Sequence, residues 1–222
     1  MVSSFPTPLP GGSAHDGSRP SLEDMSNQLD RWTGTFGDDY TQRNKVSQEL
    51  IQKRAETLYK IISPLMPVSI LEVGCNYGTN LMACLPFMQP PAVMVGVEPN
   101  EKARRIAEIG GLNVYPDCGQ DLHFFSDHFD LVFTCGVLIH CELEDAEKIV
   151  KEMLRVARRH VLFMEYFNKV DEEIEYRGET GLLWKRNWPE HFRQWGLGKQ
   201  VSCGFANASQ GFDDVHWWVY KK

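Results

Sequence analysis

No apolar run in this 222-residue chain is long enough to span a bilayer. Residues 1–20 lack the apolar stretch of a secretory signal, so a cytoplasmic protein without membrane contacts is expected. An excess of positive charge is also missing: 23 Lys and Arg face 30 Asp and Glu, a net charge of −7 at pH 7. That balance argues against binding nucleic acid by phosphate neutralisation, while leaving room for a local basic cluster around a small anion. Metal and disulfide spacings are absent as well. The six cysteines, at 75, 84, 118, 135, 141 and 203, form no Cys-x-x-Cys pair, and no His stands at zinc-finger distance from them. Reduced thiols acting as small core residues are expected, with no metal ligand among them. No internal repeat is visible, and nothing marks the oligomeric state.

What is present suits one domain. Hydrophobic residues make up 42% of a length that closes a single core. Residues 1–26 are rich in Ser, Pro and Gly and read as a disordered head, which leaves 27–222 as the domain. Over residues 46–62, Val46, Leu50, Ile51, Leu58, Ile61 and Ile62 fall near one helical face before Pro64 stops the run. Short apolar strands then alternate with helices. Strands are expected at 69–73, 92–97, 112–115, 129–135 and 161–166, with helices at 79–85, 101–109 and 145–158. Such alternation predicts an α/β fold, a parallel sheet covered on both faces. From residue 168 the rhythm breaks. Residues 168–196 are polar and aromatic and read as a lid-like insertion, residues 30–62 as an N-terminal cap, and 215–220 as a closing antiparallel edge strand.

Chemistry concentrates after the first strand, in Gly74-Cys75-Asn76-Tyr77-Gly78. Gly74 and Gly78 permit a sharp turn and close backbone approach to a ligand. Asn76, between them, tolerates left-handed geometry better than most residues. The helix start at Thr79-Asn80 offers unpaired N–H groups suited to an anion such as an amino-acid carboxylate. Glu98, ending the second strand before Pro99-Asn100, falls at the carboxyl end of the sheet, where open α/β sheets bind ligands. Its carboxylate can accept two hydrogen bonds from ribose hydroxyls. Nicotinamide dehydrogenases share that acid but need Gly-x-Gly-x-x-Gly for a pyrophosphate; here the spacing is Gly-x-Asn-x-Gly, preceded by Glu72. An NAD-dependent oxidoreductase is therefore the weaker alternative, beside a non-catalytic subunit that binds cofactor without turnover.

The loop and Glu72 resemble the first motif of class I S-adenosylmethionine-dependent methyltransferases. Phe129-Asp130-Leu131-Val132-Phe133-Thr134-Cys135-Gly136-Val137-Leu138-Ile139-His140 resembles their fourth strand and the loop after it. Three further stretches narrow the likeness to the pseudaminic acid biosynthesis-associated methylases. They are Trp32-Thr33-Gly34-Thr35-Phe36-Gly37-Asp38-Asp39-Tyr40-Thr41-Gln42-Arg43-Asn44, then Glu165-Tyr166-Phe167-Asn168, then Tyr176-Arg177-Gly178-Glu179 with Leu183-Trp184-Lys185-Arg186-Asn187. The similarity covers roughly residues 30–195 and departs at Asn187-Trp188-Pro189-Glu190-His191.

The resemblance implies a Rossmann-like, mainly parallel seven-stranded sheet with S-adenosyl-L-methionine as cofactor and S-adenosyl-L-homocysteine as product. It implies methyl transfer to an O, N or S atom of a small molecule, a sugar or carboxylate-bearing metabolite. Cofactor contacts follow from it at Glu72, Gly74, Asn76, Gly78, Asn80, Glu98 and Pro99, and at Cys135 and Gly136 beside the methionine part. Around the adenine it implies Asp117, Cys118 and Gly119, with Cys118 in the place of the family's acid.

Methyl transfer from a sulfonium is an in-line displacement with a good leaving group, so the protein mainly aligns the reacting atoms. A hydroxyl or ammonium acceptor also needs a base. His140 follows the fourth strand at the mouth of the site and titrates in the right range. Glu165 and Tyr166, ending the fifth strand, come next. Tyr40 and Arg43 precede the core and suit the cofactor carboxylate or the acceptor. Arg177, Lys185 and Arg186 form a local basic group for an anionic substrate. The expected acceptor contacts are thus Tyr40, His140, Tyr166, Arg177, Lys185 and Arg186. Trp184, Trp188, Trp195, Trp217 and Trp218 supply either acceptor walls or core.

Overall fold

The computed structural model describes residues 27–43 and 46–222; the head expected to be disordered, 1–26, lies outside the described residues. Two short helices, α1 (Asn27–Thr33) and α2 (Thr35–Arg43), precede α3 (Gln48–Ile62). The Ser47 hydroxyl accepts the Leu50 N–H at 3.1 Å and sets the start of α3. Then come β1 (Ser69–Val73), α4 (Thr79–Cys84), β2 (Val93–Val97), α5 (Glu101–Ile109), β3 (Asn113–Tyr115), β4 (Phe129–Cys135), α6 (Leu143–Val156) and β5 (Ala157–Glu165). A hairpin of β6 (Glu172–Glu173) and β7 (Trp184–Lys185) follows, then α7 (Trp188–Gln194), β8 (Gln200–Ala206) and β9 (Val215–Lys221).

Seven strands form one sheet in the order β3-β2-β1-β4-β5-β9-β8. The pairs β1·β2, β1·β4, β2·β3 and β4·β5 are parallel, and β9 is antiparallel to both its neighbours. This is the mainly parallel, Rossmann-like sheet expected, closed by an antiparallel C-terminal strand. β9 stands one place in from the border, because β8 adds outside it. β8 is exposed along most of its length, so it needs no buried apolar pattern and left no such pattern in the sequence.

Alternate residues of the central strands feed two cores. Leu71, Val73, Val161 and Phe163 join Ile149 and Met153 of α6 on one face. Ile70, Leu131, Leu162 and Met164 join Leu58 and Ile62 of α3 and Leu81 of α4 on the other. The passage from α6 to β5 differs from expectation: the helix ends at Val156 and the strand starts at Ala157, with no loop between them. Arg155 fixes that end, donating to Leu122 O and Phe124 O, each at 2.7 Å. Exposed Arg158 and Arg159 hid the start of β5 in a polar stretch.

The segment 168–196 is not uniform. Glu172 and Glu173 are exposed, whereas Trp188 and Phe192, four residues apart on α7, are fully buried. Phe192 packs on Phe163 with ring centroids 4.2 Å apart, and the Trp188 indole N–H donates to Tyr166 O at 2.9 Å. Within the segment expected to be lid-like, α7 is therefore core, and Leu182, Leu183 and Trp184 before it are buried as well. Pro189 fits the first turn of α7, where no N–H is required. All six thiols are free, and no helix among the described residues is long and apolar enough to cross a membrane.

Candidate active site

A cavity of about 520 Å³ opens where β1, β2 and β4 end. The turn after β1 forms its floor. Gly74, at φ +74°, lets two successive N–H groups, of Gly74 and Cys75, donate to Val97 O at 2.8 and 3.0 Å. A Cβ on Gly74 would come within 2.5 Å of Val137, so the absence of a side chain lets the loop after β4 approach. Asn76 adopts the left-handed conformation at φ +48°, and its Oδ1 accepts the Tyr77 N–H at 2.8 Å.

Two buried carboxylates face this floor. Glu98 accepts the Asn76 N–H on Oε2 and the Asn100 N–H on Oε1, both at 2.8 Å. Each oxygen retains a further acceptor position. Burial raises the Glu98 pKa, and the two N–H donors and Arg104 oppose the rise. Asn100 also caps α5 through Ala103 N–H, while its Nδ2 donates to Trp32 O and Asp38 Oδ1, both at 3.1 Å. The end of β2 is thereby tied to α1 and α2. Glu72 accepts from Asn80 Nδ2 on Oε1 at 2.6 Å, but its buried Oε2 has no hydrogen-bond partner among the described residues. Burial pushes the Glu72 pKa up to about 8, against the pull of Asn80 and Arg54. Arg54, on α3, donates to Asn80 Oδ1 at 2.9 Å and Gly211 O at 2.8 Å, and lies over the Phe212 ring at 4.8 Å.

The far end of the cavity is aromatic. His140 closes a 3-10 turn after β4, with Nδ1 2.7 Å from Leu182 O. A carbonyl only accepts, so Nδ1 carries the proton and Nε2 keeps its lone pair. Burial lowers the His140 pKa to about 4, which leaves the ring neutral near pH 7. Trp32, Tyr40 and Tyr176 surround it at centroid distances of 4.7, 5.9 and 6.1 Å. Burial pushes the Tyr40 phenol up to about 12 and raises that of Tyr166, and both feel the negative charge of Asp213.

Most residues expected from the sequence lie together here. With those already described, Tyr40, Arg43, Pro99, Cys118, Gly119, Cys135, Gly136 and Tyr166 line the cavity. Six others do not, each for a visible reason. Gly78 caps α4 at φ +74° and packs against Leu112, shaping the turn from behind. Asp117 spends both oxygens on His123, at 3.0 Å each. Glu165 is buried behind the wall: Oε1 accepts from Thr134 Oγ1 at 3.0 Å and Val137 N–H at 3.2 Å, and Oε2 accepts from Ile139 N–H at 3.2 Å. It secures the loop that carries His140, and burial holds its pKa up at about 7. Arg186 is buried too, donating to Cys141 O at 2.7 Å between Trp184 and Trp188. Arg177 is exposed in the hairpin, and Lys185 lines an adjoining hollow with Tyr166, Ala208, Asp213 and Asp214.

Among the lining residues given no role from sequence are Trp32, Arg54, Tyr176 and Asp213. Trp32 and Tyr176 fall within stretches that carry the family likeness. Arg54 and Asp213 bear no sequence mark, since each stands among other charged residues in a polar run.

A family profile described as a methyltransferase domain matches residues 70–160. No curated protein matches the chain. Among solved structures, the magnesium protoporphyrin IX methyltransferase of Synechocystis with bound S-adenosylmethionine is similar over 90% of this chain and 99% of its own, at 14% identity and a TM-score of 0.61. The Burkholderia thailandensis 1,6-didemethyltoxoflavin-N1-methyltransferase, with its substrate and S-adenosylhomocysteine, is similar over 88% and 86% of the two chains, at 12% identity and a TM-score of 0.63. A Leishmania major S-adenosylmethionine-dependent methyltransferase covers 89% and 86%, at 15% identity and a TM-score of 0.65. Residues 70–160 thus match a methyltransferase domain, on a fold shared with S-adenosylmethionine-dependent methyltransferases.

Proposed function

We propose that the protein methylates an O, N or S atom of a small metabolite, sugar derivatives included, at the Tyr40, His140 and Tyr166 end of the cavity. The observation that carries this reading is the buried, unpartnered Oε2 of Glu72. Such an oxygen is costly unless a donor meets it. The ammonium of the cofactor's amino-acid end is a donor of the right charge, so the residues present fit that cofactor. In this proposal Glu98 holds the ribose hydroxyls, Glu72 the ammonium, Arg54 and Arg43 the carboxylate, and Cys118 and Gly119 the adenine. Gly74, Asn76, Asn80, Pro99, Cys135 and Gly136 shape the cradle between them. Residues 27–222 act as one methyltransferase domain with 30–62 as its cap, cytoplasmic and without nucleic-acid or membrane partners.

The bound cofactor supplies a methyl group on a sulfonium, ready for displacement. This chain aligns the acceptor with it and handles the proton. His140, fixed in one tautomer by Leu182 O, offers Nε2 to the acceptor's hydrogen. A ring with a pKa of about 4 is a weak base, suited to take a proton as the acceptor becomes acidic on methylation rather than beforehand. Tyr166 stays protonated and donates to the acceptor, while Glu165 positions His140 from behind. Of the basic residues expected to hold an anion, Lys185 alone faces a hollow, so an anionic group on the acceptor has one cation to meet.

Calorimetry with S-adenosylhomocysteine tests the reading. Glu98→Ala should weaken binding by more than about tenfold, from hydrogen bonds lost to a charged acceptor. Unchanged affinity refutes the assignment of Glu98, and binding of NAD in place of S-adenosylhomocysteine refutes the function.

A further inference from the structure

We infer that the acceptor carries a protonated amine, received by Asp213 within the aromatic wall of Trp32, Tyr40, His140, Tyr166 and Tyr176. The inference rests on the methyltransferase reading and narrows the acceptor to cationic amines, whether on a sugar or on an aromatic frame. All six side chains line the one cavity. Four of the rings touch in series: Trp32 meets Tyr40 at 5.1 Å and His140 at 4.7 Å between centroids, and His140 meets Tyr176 at 6.1 Å, while Tyr166 lines the same cavity. Ring faces attract a cation within about 6 Å, more strongly where water is excluded.

Charge agrees with this. Asp213 has no ion-pair partner among the described residues, and it acts on the Tyr40 and Tyr166 phenols together. The His140 ring is neutral, so the wall itself presents no positive charge. At the adjoining mouth Asp213 and Asp214 face Lys185 alone, two carboxylates to one cation. The basic residues that would favour an anionic acceptor are otherwise occupied: Arg186 is buried on backbone carbonyls, Arg54 is engaged with Asn80 and Gly211, and Arg54 and Arg43 are those given to the cofactor's carboxylate above.

The step balances without another reactant. The ammonium R–NH3+ gives one proton to water through the mouth. The freed lone pair forms the N–C bond as the S–C bond breaks, leaving R–NH2+–CH3 and S-adenosylhomocysteine.

The test uses the full chain saturated with S-adenosylhomocysteine and three probes of one shape: 2-phenylethylamine, 2-phenylethanol and 3-phenylpropanoate. Binding is read by ligand-observed NMR and calorimetry. The amine should bind at least about tenfold more tightly than the alcohol, with the carboxylate weaker still. Asp213→Asn should cut amine affinity by about tenfold and leave the alcohol and S-adenosylhomocysteine unchanged. Equal binding of the three probes, binding of none, or an amine affinity indifferent to Asp213→Asn overturns the inference. Failure of S-adenosylhomocysteine itself to bind would instead strike the methyltransferase reading, so the two failures are distinct.

Discussion

Glu72 should release a proton when the cofactor product binds. Its carboxyl is buried, one oxygen lacks a partner, and its pKa stands at about 8. At pH 7, roughly nine in ten Glu72 side chains are then protonated. An ammonium docked on Oε2 favours the carboxylate, so binding S-adenosylhomocysteine should expel about 0.9 proton at pH 7 and about 0.1 at pH 9. Affinity should climb by close to tenfold per pH unit below 8 and level off above. Titration calorimetry in buffers of differing ionisation enthalpy reads the proton count as a slope. Glu72→Gln should abolish the slope and flatten the affinity profile between pH 6 and 8. The same shift has a sign for stability: a carboxyl raised from 4.5 to about 8 stabilises the fold fully below pH 4.5, and that contribution is lost as pH rises through 8. The ligand-free protein should therefore weaken across that window, by an amount on the order of 5 kcal/mol at most, and the ligand should restore it. No proton release at pH 7, or the same release from Glu72→Gln, would refute the pairing of Glu72 with the ammonium.

Three other outcomes follow from the same geometry. Glu165→Gln removes one of two acceptor oxygens from three donors and should cost about 1–3 kcal/mol near pH 5, seen as a lowered Tm. Because ionising Glu165, with its pKa near 7, burdens the wild type as pH rises from 4.5 through 7, the gap should narrow toward pH 8; a widening gap contradicts the assignment. Gly74→Ala places a Cβ 2.5 Å from Val137 at φ +74° and should lose about 1–3 kcal/mol in urea denaturation. Adding Val137→Ala should recover only the steric part, and a single variant as stable as wild type would show that the turn is not strained. For His140, the pH profile of turnover should carry no inflection near 6.5, whatever slope the acceptor's own ionisation gives it; an inflection near 6.5 that His140→Ala removes would mean the ring is not buried during the reaction.

The sheet was legible where strands are buried on both faces. Ser69–Val73 and Phe129–Cys135 match expectation residue for residue, because an apolar run bounded by a glycine turn admits few alternatives. Asn76 was readable for a similar reason: few residues other than glycine accept its conformation. Legibility failed where tertiary context decides. β8 is a border strand, β5 begins in exposed arginines, and α7 buries two aromatics in a stretch that looks polar. In the site, the turn residues and Glu98 follow from local order along the chain. Arg54 and Asp213 are brought in from 18 residues before Glu72 and from the approach to β9, and nothing in their neighbours distinguishes them. Arg186 shows the converse: its charge suggested a ligand, and its two indole neighbours and Cys141 O had already claimed it.

The cavity wall is drawn from two different stretches of chain. Glu72, Gly74, Asn76, Glu98 and His140 fall inside the matched span of residues 70–160, whereas Trp32, Tyr40, Tyr176 and Asp213 all fall outside it. Joints such as Asn100 to Trp32 and His140 to Leu182 are made largely through backbone carbonyls, which any side chain at those positions would provide. A chimera that exchanges the outlying stretches but keeps Arg43 and Arg54 should therefore inherit the donor end and acquire a new acceptor, making this fold a chassis whose specificity is interchangeable at its flanks.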